Sequence, residues 1–121
     1  MQPDVVLLGA EWRARALIRA QLIEEGYEVL AADSWSVVRH FIRAGSKPSL
    51  VIVDLVDLVD LEHSMDVLRE LRELMQPDRV LVLAGLGTVA PAELEWLGFR
   101  VLRRPVTIRD IVAAAAQAME H

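Results

Sequence analysis

The sequence of 121 residues has the length of one domain, and its composition, 54% hydrophobic and 26% charged, is too apolar for a disordered chain. Its apolar runs are too short to span a membrane, and the absence of cysteine excludes disulfides, thiol nucleophiles and thiolate metal sites. The formal net charge of -5 disfavours direct nucleic-acid binding, and with no basic leader at the N-terminus we expect one cytoplasmic domain over residues 1–121.

The first half of the chain alternates short apolar runs, typical of buried strands, with segments in which apolar residues recur at helical spacing. The predicted elements are a strand over 5–8, a helix over 11–25, a strand over 27–31, a helix over 35–42 and a strand over 50–53. Ser34 is a candidate N-cap for the second helix. Asp54 ends the third strand.

The second half continues the same alternation. The predicted elements are a helix over 65–75 capped by Ser64, a strand over 80–83, a helix over 91–97, a strand over 99–102 and a helix over 108–119. Thr107 and Asp110 predict a capping box at the start of the last helix. Alternation of this kind forces parallel pairing, so we predict an α/β fold with a doubly wound five-stranded parallel sheet flanked by five helices.

Residues that follow the strands of such a sheet meet at its carboxyl edge, where ligands bind. The residues predicted there are Gly9, Ala10 and Glu11, Asp54, Ala84 and Gly85, and Arg103, Arg104 and Pro105. Of these, only Glu11, Asp54 and the arginines carry groups that can do chemistry. No phosphate-binding glycine loop follows the first strand, and no Ser, His and Asp arrangement indicates a hydrolase, so we expect no enzymatic activity.

Two segments of the chain resemble response-regulator receiver domains. PSLVIVD, residues 48–54, is similar to the family's third strand, which ends in the phospho-accepting aspartate. VLRRP, residues 101–105, is similar to its fifth strand, with Arg104 at the position of the family's lysine. The resemblance spans the whole chain and implies the flavodoxin-like receiver topology with strand order 2-1-3-4-5. It also implies two-component signalling, with Asp54 as the candidate phospho-acceptor.

The chain departs from the family at the residues that support phosphorylation. The resemblance implies a pair of acids that hold Mg²⁺ after the first strand, and Gly9 and Ala10 stand in their place. Glu11, one residue later, fits a helix-capping role better than a metal role. Ala84 replaces the family's hydroxyl residue, and Arg104 replaces a compact ammonium with a planar guanidinium. We therefore expect no cofactor, and the departures disfavour Mg²⁺ binding.

Two interpretations of Asp54 stay open. It either accepts a phosphoryl group, or it forms a structural ion pair with Arg104 across the sheet edge, which the missing acid pair favours. The acidic segment beyond it, with Asp57 and Asp60, matches no calcium-binding loop and indicates a solvated loop.

A protein-interaction surface is predicted on the fourth helix, fifth strand and last helix. Arg100, Arg103 and Arg109 gather there, and Trp96 is either an interface anchor or a core residue. The favoured function is a pseudo-receiver, a module that binds a protein partner or a second copy of itself through this face, largely independently of Mg²⁺-dependent phosphorylation. A phospho-accepting receiver using Asp54 is the alternative, and a small-ligand-binding α/β domain is the second alternative.

Overall fold

The computed structural model of the chain describes residues 2–55, 61–85 and 91–120. Its strands are β1 (Val5–Leu8), β2 (Val29–Ala32), β3 (Leu50–Asp54), β4 (Val80–Ala84) and β5 (Arg100–Arg103). Its α-helices are α1 (Trp12–Glu24), α2 (Trp35–Arg43), α3 (Leu61–Leu74), α4 (Pro91–Trp96) and α5 (Ile108–Met119), and one turn of 3-10 helix, Pro77–Arg79, precedes β4. Each predicted strand and helix is therefore present, although some begin or end a few residues away from the predicted bounds. Asp57 and Asp60 lie outside the described residues.

The strands form one parallel sheet in the order β2-β1-β3-β4-β5, which confirms the predicted topology. Every residue of β1, β3 and β4 is buried, because helices cover both faces of the sheet, and Asp54 at the end of β3 is the one polar side chain along these three strands. Leu8 pairs with Val53, and Asp54 pairs with Leu83. The residues that follow β1 therefore lie beside Asp54. Here the chain leaves β1 and β3 toward opposite faces of the sheet, which is where ligands bind in such folds.

Two hydrophobic layers hold the helices on the sheet. One layer joins α1 and α5 to one face through buried aliphatic side chains, namely Ile18, Leu22, Ile111, Ala115 and Ala118. The other layer joins α2, α3 and α4 to the opposite face through Val38, Val67, Leu68, Leu71 and Leu94. In the part of the chain that the structure describes, no helix is both long enough and apolar enough to cross a membrane.

The predicted helix caps have three different outcomes. The capping box of α5 is confirmed, because the Thr107 backbone donates to Asp110 and the Asp110 backbone donates to the Thr107 hydroxyl, each at 3.1 Å. Ser34 occupies the N-cap of α2, but its side chain makes no capping hydrogen bond to the helix backbone. Its Oγ lies 3.4 Å from the Oγ of Ser36. The prediction that Ser64 caps α3 is wrong: the helix begins at Leu61, and Ser64 is buried inside it. A serine is tolerated within a helix as well as at its start, so its position alone does not locate the first turn.

A carboxylate on α3 ties this helix to α2. Glu70 accepts a hydrogen bond from the indole Nε1 of Trp35 at 3.1 Å and one from Nη2 of Arg43 at 2.8 Å. The Nε of Arg39 lies 3.1 Å from the same carboxylate. The hydrogen bond from Arg43 is the largest of the effects that lower the pKa of Glu70. Three donors from one helix therefore converge on one ionised acceptor of the next.

Candidate functional site

Asp54 and Arg104 form an ion pair at the carboxyl edge of the sheet. Asp54 is the last residue of β3 and is only 2% exposed, while Arg104 directly follows β5. Nη2 of Arg104 lies 3.2 Å from Oδ1 and 3.0 Å from Oδ2 of Asp54, so one nitrogen bridges both carboxylate oxygens. The backbone N–H of Arg104 donates to the carbonyl of Ala84 at 3.1 Å, which holds the segment after β5 beside β4. The pairing across the sheet edge is the contact that the structural interpretation of Asp54 requires.

The place of the expected acid pair is taken by Gly9 and Ala10, whose carbonyl groups bind an arginine. Nη1 of Arg15, on the first turn of α1, donates to the Gly9 carbonyl at 2.7 Å and lies 3.4 Å from the Ala10 carbonyl. A Cβ atom built on Gly9 would lie 3.6 Å from the Cβ of Asp54 and 3.9 Å from the Cβ of Arg15. A side chain at position 9 would therefore begin beside the side chains of both Asp54 and Arg15.

Glu11 caps the first helix. Its carboxylate accepts hydrogen bonds from the backbone N–H groups of Ala14 at 2.7 Å and Arg13 at 3.1 Å. These bonds, that from Ala14 first, lower the pKa of Glu11, because they satisfy the ionised carboxylate at the positive end of α1. The predicted capping geometry is present, and both carboxylate oxygens are engaged by the helix.

Ala84 ends β4 within the sheet. It is 1% exposed and pairs with Arg103 in the register of β4 and β5. Its methyl group packs in the hydrophobic layer beneath α2, α3 and α4. An alanine offers no hydroxyl group to a phosphoryl oxygen, so this position supplies only its backbone to the site.

The residues present do not fit Mg²⁺, the cation that the receiver resemblance implies. Mg²⁺ requires several oxygen ligands in near-octahedral geometry, usually including carboxylates. Within residues 2–55, 61–85 and 91–120, no three His, Asp or Glu side chains lie close enough together to hold a metal ion. The carboxylate of Asp54 is bridged by Arg104, and that of Glu11 is bound to its helix. Arg15 and Arg104 instead place guanidinium groups at this edge of the sheet, where a divalent cation would need anionic ligands.

The predicted interaction residues lie on a separate surface. Trp96, the last residue of α4, is 85% exposed, so the interpretation of this side chain as a core residue is wrong. Arg103 faces Glu95 across a 3.8 Å ion pair in which both side chains are more than half exposed. Arg100 donates through Nε to the Asp78 carbonyl at 2.9 Å, and Arg109 is exposed on α5. The core interpretation fails because α4 has only six residues and buries Leu94 instead.

The sequence did not single out Arg15 as a site residue. It lies within the predicted first helix among other arginines, and its spacing indicates only a polar helix position. The signal that could have found it is its place on the first turn of the helix that follows β1, from which a long side chain can reach back to the carbonyl groups after the strand.

Solved structures of receiver domains are similar to this chain. A response regulator receiver domain protein from Clostridium thermocellum is 29% identical, with a TM-score of 0.77 over 96% of this chain and 93% of that one. The receiver domain of NtrX from Brucella abortus is 21% identical, with a TM-score of 0.78 over 97% of this chain and 98% of that one. In a longer NtrX structure, solved in complex with ADP, the match covers 99% of this chain but 26% of that chain, with 21% identity and a TM-score of 0.79. No protein-family model and no curated protein matches the sequence.

The comparisons agree with the architecture and with the residues that first indicated it. The sheet has the strand order 2-1-3-4-5. The aspartate that ends β3 lies at the same edge of the sheet as the basic residue and the proline that follow β5. The predicted resemblance to receiver domains is therefore confirmed: this chain has the fold of the response-regulator receiver domains, and its structural neighbours belong to that family.

Proposed function

We propose that this chain is an atypical receiver domain of two-component-type signalling that works as a cytoplasmic, non-enzymatic protein-interaction module. Its likeness to receiver domains supports the signalling role. The observation that carries the atypical mode of action is the buried ion pair, in which Asp54 is 2% exposed and both of its oxygens contact Nη2 of Arg104.

Phosphorylation of Asp54 would work against the contacts around it. The carboxylate would have to leave Arg104, become accessible to a phosphate donor and accept a dianionic group, and the described residues supply no cluster of acids that could hold a neutralising metal. Ala84 provides no side-chain hydrogen bond to the phosphoryl oxygens. The resting ion pair is therefore favoured over the phosphorylated state, and the module acts largely without Mg²⁺-dependent phosphorylation.

The proposed contact region is the α4–β5–α5 surface, defined here by Glu95, Trp96, Arg100, Arg103 and Arg109. An indole that is 85% exposed presents a large apolar area whose burial would stabilise a complex. Basic and acidic groups surround it, and the pair formed by Arg103 and Glu95 is long and solvated, so either member can exchange it for a partner's group at little cost. The proposed occupant of the surface is a protein partner or a second copy of the chain.

The testing experiment compares self-association and partner capture by the wild-type chain, Trp96→Ala and Trp12→Ala. Trp12 is the matched control because it is also exposed, at 63%, but lies on α1 in the opposite layer. Sedimentation velocity reports self-association, and crosslinking with the neighbouring proteins of the signalling system reports a different partner. Loss of either interaction in Trp96→Ala, but not in Trp12→Ala, would support the proposed surface.

Two results would contradict the proposal. Equal self-association and partner capture by the two tryptophan variants would show that the interaction does not use the α4–β5–α5 surface. An interaction that appears only after phosphorylation of Asp54, and is absent from Asp54→Asn, would instead establish the phospho-accepting alternative.

A further inference from the structure

Arg15 places a positive charge at the position where the receiver resemblance implies a cation-binding acid pair. Its Nη1 is held by the Gly9 carbonyl at 2.7 Å, with the Ala10 carbonyl at 3.4 Å. Carbonyl groups at the end of a strand carry partial negative charge, and here a guanidinium satisfies them. At the two positions where the resemblance implies metal-binding acids, the backbone carbonyl groups of Gly9 and Ala10 therefore contact the guanidinium of Arg15.

The Cβ position of Gly9 adjoins the side chains of Asp54 and Arg15. It is 3.6 Å from the Cβ of Asp54 and 3.9 Å from the Cβ of Arg15. Arg104 follows β5, which lies on the side of β3 that is away from β1, and it contacts Asp54 from there. Asp54 thus lies between two elements that each supply an arginine.

We infer that Arg15 is a built-in counter-cation that excludes divalent metal ions from this site, beyond the exclusion caused by the missing acids. A fixed positive charge close to a divalent ion opposes its binding, and the Gly9 carbonyl holds the guanidinium of Arg15 beside the residues whose acids would have to bind that ion. Restoring acids after β1 is then insufficient to restore a metal site. Arg15 acts as a specificity-determining residue that selects a metal-free state.

The test restores the acids with and without Arg15 and measures Mn²⁺ binding by electron paramagnetic resonance. Gly9→Asp/Ala10→Asp is compared with the same double variant carrying Arg15→Ala or, as the matched control, Arg13→Ala. Arg13 lies on the same helical turn, but its guanidinium is placed over the Trp12 ring, 5.5 Å from the centroid, rather than on the strand carbonyls. A Cβ at position 9 would make only ordinary van der Waals contacts, and Ala10 is exposed, so neither substitution begins with a clash at Cβ.

The expected result is that Arg15→Ala tightens Mn²⁺ binding by the double variant roughly tenfold or more, while Arg13→Ala changes it much less. Equal binding with and without Arg15, including no binding in either, would overturn the inference. So would tight Mn²⁺ binding by the wild-type chain. If the triple variant does not fold, Gly9→Asp with and without Arg15→Ala makes the same comparison. Sedimentation of these variants separates this outcome from the proposed interaction function, which depends on Trp96 and not on the metal.

Discussion

Nη2 of Arg104 bridges the two carboxylate oxygens of Asp54 at 3.2 Å and 3.0 Å, and so couples the end of β3 to the segment after β5. The coupling spans β4, which lies between these two strands in the sheet. Asp54 is buried, whereas Arg104 is partly exposed and can be solvated by water. The ion pair therefore stabilises the charge of the carboxylate more than that of the guanidinium.

Arg104→Met is expected to lower the free energy of unfolding by about 2 kcal/mol, because it removes the ion pair of Arg104 with the buried carboxylate of Asp54; the partial exposure of Arg104 keeps the loss below that of a fully buried pair. Chemical denaturation at neutral pH measures the change. The control is Arg103→Met, which removes a neighbouring exposed arginine and should cost no more than about 0.5 kcal/mol. Equal losses in the two variants would show that the pair does not stabilise the fold.

Incubation with acetyl phosphate and Mg²⁺ is expected to leave the intact mass of the wild-type chain unchanged, because Asp54 is covered and no acid cluster lies among the residues that the structure describes. Mass spectrometry of the wild type and of Asp54→Asn, treated in parallel, checks this. A phosphoryl mass gain in the wild type that the variant lacks would show that Asp54 is a working acceptor, and the proposed function would then be wrong.

Glu70→Gln is expected to destabilise the chain at neutral pH and to have a smaller effect in acid. The pKa of Glu70 is lowered in the folded chain, chiefly by the hydrogen bond from Arg43, so its ionised form stabilises the fold above the ordinary pKa of 4.5. That contribution is lost as the pH falls from 4.5 through the lowered pKa of the folded state.

Denaturation of wild type and Glu70→Gln at pH 7 and at about pH 3 measures the two differences. Glu73→Gln, an exposed position on the same helix, is the control and should show little difference at either pH. A stability gap for Glu70→Gln that stays constant between the two pH values would contradict the role of its ionised carboxylate.

The features of the fold that depend on chain periodicity could be predicted from the sequence. Uninterrupted apolar runs such as Val5–Leu8 identify strands buried on both faces, and Asp54 is recognisable because it ends such a run. The pairing with Arg104 follows from the two strand ends meeting at one sheet edge, together with the receiver resemblance. These inferences need the order of the elements and the residues at the strand ends, and not the direction of individual side chains.

The features that depend on side-chain direction could not be predicted in the same way. The reach of Arg15 to the Gly9 carbonyl depends on the path of the chain between β1 and α1, which residue spacing does not determine. The exposure of Trp96 depends on how little of α4 lies against the sheet. Ser64 shows the same limit, because a polar residue near a helix start can lie before it or inside it.

The position of β5 at one edge of the sheet limits how two copies of this chain could assemble. An edge strand with free backbone groups can extend a sheet into a second molecule, and short, charged strands resist this. β5 has four residues and carries an arginine at each end, so a second strand laid beside it would bring copies of these cations together. Any association through this edge would therefore be made by side chains and not by strand addition, which leaves it reversible and protects the β5 edge from sheet-mediated aggregation.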